Sequence, residues 1–84
     1  MTMQEIVKHL PGFKMANEHQ AVRISDTRHE VLTIVTRNEK SVPGPWIELE
    51  RTKRNHRMGF GKGKTSLHYF SVDEAGLQAL VAFI

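Results

Sequence analysis

The sequence predicts a small α+β domain: a short N-terminal helix, a four-stranded antiparallel curved sheet and a C-terminal helix, in the order α-β-β-β-β-α. Three observations carry this. Apolar residues recur at helical spacing only at the two ends of the chain. The middle is built of short alternating or β-branched runs separated by Pro, Gly and Asp. And 84 residues bury too little surface for more than one core, so residues 1–84 form one domain, with helix and linker over 1–18 and a ββββα unit over 19–84.

Near the start, Met3, Ile6, Val7 and Leu10 share one helical face, with Thr2 as cap and Glu5 three residues on. Pro11-Gly12 stops the helix. Residues 13–18 fit either a loop or another helical turn. Ala21 to Ser25 alternates, with Val22 and Ile24 expected on the core face and Arg23 on the other. Asp26 to His29 suits a turn. Glu30 to Arg37 is the strongest strand, rich in Val31, Thr33, Ile34, Val35 and Thr36. The segment 38–45, with two prolines and a glycine, must connect. Trp46 to Lys53 alternates again, placing Ile47 and Leu49 inward and Trp46, Glu48 and Glu50 outward. Asn55 to Lys64, with three glycines, reads as a basic loop, and Thr65 to Val72 as the last strand. In the final helix Ser71 and Glu74 fit a capping box, or Asp73 caps directly; Leu77, Leu80, Val81 and Ile84 form its apolar stripe.

Composition limits the function classes. The chain has no cysteine, which removes disulfide, zinc-thiolate and cysteine-nucleophile chemistry. Its longest apolar run, Ala79 to Ile84, is far short of the roughly 20 residues that span a membrane. No signal-peptide pattern precedes it, so a soluble, cytoplasmic setting is expected, the nucleoid included. Net charge is +3, but Arg51, Lys53, Arg54, Arg57, Lys62 and Lys64 lie within 14 residues that hold no acid. Everything outside that window sums to −3. A concentrated positive run attracts an anionic partner, nucleic acid above all, although a solvated surface loop has the same composition.

Catalytic patterns fail on inspection. Gly59 to Thr65 resembles a phosphate-binding loop, but the required first glycine is Met58 and a strand, not a helix, follows Thr65. The five histidines share no metal-ligand spacing, and Glu48 and Glu50 are expected to pair with cations on neighbouring strands. No enzyme, cofactor or metal is predicted. Trp46, outward on its strand, suits base stacking, or alternatively covers a helix or a dimer partner. Phe60, between glycines in the basic segment, is a second stacking candidate. Arg23 and Arg37 would extend the positive surface.

Four strands followed by one helix, carried here by AVRIS, EVLTIVTRN, WIELERTKR and KTSLHYFSVDEAGLQALVAFI, resemble the unit of the PUR-repeat and Whirly-like single-strand-binding proteins over residues 19–84. The resemblance implies a sheet face that binds single-stranded DNA or RNA with little sequence preference. It also implies two units paired through their C-terminal helices, here a homodimer. Position by position it puts Trp46, Arg51 and Lys53 on the third strand and Arg37 at the end of the second. The N-terminal helix is extra to that unit, and Glu48 and Glu50 oppose phosphate binding. The competing expectation is a small regulator or inhibitor that docks its basic loop on an acidic protein surface; a third is an accessory domain of a larger protein.

Overall fold

The computed structural model describes residues 1–35, 45–54 and 62–84. It is α+β, with one antiparallel sheet and two helices, but the sheet has five strands instead of the expected four. In chain order they are α1 (Met3–Val7), β1 (Lys14–Asn17), β2 (Gln20–Ile24), β3 (Arg28–Val35), β4 (Trp46–Arg54), β5 (Lys62–Ser71) and α2 (Glu74–Phe83). The strands pair in sequence order, each with the next, so the sheet is an uncrossed meander. No helix among the described residues is long and apolar enough to cross a membrane.

The additional strand is β1, which falls within the segment expected to be helix and linker. All four of its residues are exposed, so no burial alternation marks it. It is fixed instead by its neighbours. Gly12 takes φ = 87°, a conformation open to glycine, and turns the chain out of the first helix. The Asn17 side chain then accepts from the His19 backbone at 2.8 Å and closes a tight turn into β2.

Both helices lie on one face of the sheet, α1 against β1 and β2 and α2 against β5. Met3, Ile6, Leu10 and Phe13 meet Ala21, Leu32, Ile47, Leu49, Leu77 and Leu80 in a single buried core. Ile47 and Leu49 are fully buried, as the alternation of β4 predicts. The faces of β2 are the reverse of expectation. Ala21 is its buried residue and Arg23 shares that side, while Ile24 is 64% exposed on the other.

The helix caps are local. Thr2 Oγ1 accepts from the Glu5 backbone at 3.2 Å. Asp73 caps α2 directly, accepting from the Gly76 N–H at 2.7 Å while the Ser71 hydroxyl donates to the same carboxylate at 2.8 Å. These bonds, the Gly76 N–H first, hold the Asp73 carboxyl below its ordinary value. Leu77 and Leu80 turn onto the core; Val81 and Phe83 remain 44% and 39% exposed.

Candidate nucleic-acid interface

Strand register decides which of the predicted cations stand together. Antiparallel pairing sets Arg28 opposite Lys53 at the junction of β3 and β4, and Arg54 opposite Lys62 at the junction of β4 and β5. Lys64 follows on β5. Five cationic positions therefore occupy one end of the sheet, where β4 ends and β5 begins. Arg28 and Lys53 are exposed and make no ion pair among the described residues. Directly opposed like charges destabilise a ladder, by a few tenths of a kcal/mol up to about 1 kcal/mol. The exposed Arg28–Lys53 pair is a poor choice for folding and a good one for an anion, and the Arg54–Lys62 register adds two cationic positions at the same end.

Arg28 was not among the residues the sequence pointed to. It precedes the β-branched run and looks like part of a turn; only the register brings it beside Lys53. Lys62 to Lys64 are strand rather than loop, since β5 begins at Lys62 despite its glycine. Arg37, Arg57 and Phe60 lie outside the described residues.

Arg23 and Arg51 are placed differently from the expectation of an exposed binding surface. Both lie on the helix-covered face and close on Glu30, which is 1% exposed. Arg23 Nε donates to Glu30 Oε1 at 2.8 Å and Arg51 Nε to Oε2 at 2.9 Å. Each guanidinium also covers an aromatic ring, Arg23 over Phe13 at 4.8 Å and Arg51 over Phe83 at 4.7 Å. Arg23 further donates to the Pro11 carbonyl at 3.3 Å. Burial alone would raise the Glu30 carboxyl, but the hydrogen bonds and charges of Arg23 and Arg51 outweigh it and hold it below its usual range. These two arginines are committed to the fold.

Trp46 occupies the open face, half-buried, with its indole N–H buried and unpartnered among the described residues. It shares that face with Glu48, Glu50 and the half-exposed Tyr69. It is not beside the basic segment. Seven residues separate it from Lys53 along one strand, about 23 Å at the usual strand rise, and Lys53 faces the other way. Among the described residues Glu48 and Glu50 make no ion pair: their cross-strand neighbours are Thr33 and Tyr69, and Val31 and Leu67. The Tyr69 hydroxyl approaches Glu48 at 3.5 Å. No three His, Asp or Glu among the described residues are grouped to hold a metal ion. No protein-family model, curated protein or solved structure matches this chain.

Proposed function

We propose that this chain binds nucleic acid through phosphate contacts at the cationic end of the β4–β5 hairpin, with little sequence preference. The observation that carries the reading is the pair of like-charge registers, Arg28 with Lys53 and Arg54 with Lys62, continued by Lys64. Phosphate oxygens between such pairs remove the repulsion and release counterions, which is a sequence-independent source of affinity. Single strands are the favoured form. Trp46 and Tyr69 offer aromatic faces on the open side of the sheet, and the succession β2–β3–β4–β5–α2 is in keeping with the ββββα unit of single-strand-binding proteins. Arg23 and Arg51 act indirectly, by holding the sheet on which the cationic end is mounted.

The test is a titration of labelled single-stranded and duplex oligonucleotides across a salt series. Three to five phosphate contacts on a single strand give a slope of log K against log[salt] of roughly −2 to −3.5. Replacing Lys62 and Lys64 by Gln flattens it by about 1.4, and replacing Arg28 and Lys53 does the same. An unchanged slope in both double variants would remove the interface. Binding of an acidic protein with no binding of either oligonucleotide would favour the regulator reading instead.

A further inference from the structure

The face of the sheet away from the helices has no element over it among the described residues, and its charges are arranged in a particular way. One row across this face runs Lys14, Val22, Val31, Glu50 by successive strand pairings from β1 to β4. Lys14 and Glu50 are both exposed and neither makes an ion pair among the described residues. They stand three strand spacings apart, about 14 Å, far beyond contact within one chain. From β1 to β4 the row is thus positive, apolar, apolar and negative, and it continues on β5 with the half-exposed Leu67. Turned end for end, the four-strand stretch is its own complement.

We propose that a second copy of this chain packs on this face, sheet to sheet, about a two-fold axis parallel to the strands and lying between β2 and β3. That operation keeps every residue at its height along the strands. It sets β1 over the partner's β4 and β2 over its β3, and it leaves Tyr69 on β5 and Trp46, two residues past the end of β1 in register, outside the overlap. Lys14 then faces the partner's Glu50, and Val22 faces the partner's Val31, with each contact made twice. Packed sheets cross at about 30° and stand about 10 Å apart. At the lateral position of Lys14, about 7 Å from the axis, that rotation moves partners by roughly 4 Å. A lysine stem spans this, and Glu48, two residues along on the same face, is a second acceptor.

Charge also disfavours two other face-to-face arrangements. An axis across the strands at the height of Glu48 and Glu50 lays each strand on its own copy, so these acids meet the same acids. An axis along β3 sets Lys14 against the partner's Leu67 and Glu50 against the partner's Val22, covering both charges without a partner. Nucleic acid is disfavoured on the β4 part of this face by the same two carboxylates. Because height is preserved, both cationic ends emerge at one end of the dimer. Their joint use in binding rests on the function proposed above; the dimer itself does not.

The experiment uses the full chain without nucleic acid. Sedimentation equilibrium gives the dimer constant for the unsubstituted chain, Lys14→Glu, Glu50→Lys and the double exchange, with circular dichroism to confirm that each is folded. Each single reversal weakens the dimer by about tenfold or more, and the double exchange restores it to within about threefold. A zero-length carbodiimide crosslinker on mixed isotope-labelled and unlabelled chains joins Lys14 of one chain to Glu50 or Glu48 of another. A chain that stays monomeric at all accessible concentrations overturns the proposal. So does a dimer indifferent to both reversals, above all one that is lost instead on substituting Val81 and Phe83 of α2. Neither outcome alters the salt slope, so the two proposals fail separately.

Discussion

Replacing Glu30 by Gln tests the polar centre of the fold. The carboxylate is buried, accepts from both Arg23 and Arg51, and is the only acid that either guanidinium meets among the described residues. Glutamine keeps the shape and removes the charge, leaving two half-buried cations without a counter-ion. Breaking a buried ionic cluster by removing one partner costs about 3–5 kcal/mol. A domain of this length has a total stability of roughly 4–13 kcal/mol, so the variant should lose about a quarter of it or more. Urea unfolding followed by tryptophan fluorescence should show the midpoint falling by about 2 M at a slope near 2 kcal/mol/M. A companion variant, Arg23→Met with Glu30→Leu and Arg51→Met, removes all three charges together and should recover most of the loss. The pH dependence has a definite sign. Glu30 titrates below its unfolded value of 4.5, so its stabilisation is fully present above that pH and is lost as pH falls through the folded value. The gap between the unsubstituted chain and Glu30→Gln should therefore narrow on acidification below about pH 4.5. A loss under about 1 kcal/mol, or a gap that does not change with pH, would refute the assignment of Glu30 as the charge that joins β2, β3 and β4.

Three further outcomes follow from the same geometry. Gly76→Ala would put a Cβ 1.8 Å from the Ser71 carbonyl oxygen, so despite alanine's better helix propensity it should destabilise by about 1–3 kcal/mol, read by thermal unfolding. Asp73→Ala should lower the melting temperature while Asp73→Asn keeps most of it, and the cap's contribution should fade as acidification protonates Asp73 below its ordinary value of 3.8. Trp46→Ala should cost about 1–3 kcal/mol of affinity only for oligonucleotides that reach it. The separation of about 23 Å corresponds to roughly seven stacked nucleotides, so a tetramer should bind both forms alike and a 16-mer should not.

Much of the fold was readable because burial and period coincide. Ile47 and Leu49 alternate with charged residues, and Asp73 precedes a clear helical stripe; each signal is local, and each element formed where its pattern lay. What was hidden depends on which residues the strand pairing brings together. β1 has no buried residue and exists through its pairing with β2. Arg23 looked outward because Val22 and Ile24 are the larger apolar neighbours, and only Glu30, seven residues on and opposite it in register, explains why an arginine lies on the core side. The composition of the basic window was evident, but not its internal division. Trp46 stands near that window in sequence and at the far end of β4 in space, since a strand converts seven residues into about 23 Å.

That division bears directly on the functional reading. Six cations in 14 residues suggest one continuous positive surface, yet the Arg51 guanidinium is held by Glu30 and covered by the aromatic ring of Phe83. Its donors are committed to the fold. Arg28, outside the window, replaces it by standing opposite Lys53. The positive field is therefore displaced from the body of the sheet toward the end of the hairpin, while Glu48 and Glu50 make the open face of β4 negative. If the chain binds nucleic acid as proposed, attraction at the hairpin end and repulsion along β4 require the end to supply the affinity before any base reaches Trp46. This order of events follows from which arginines the core has already used.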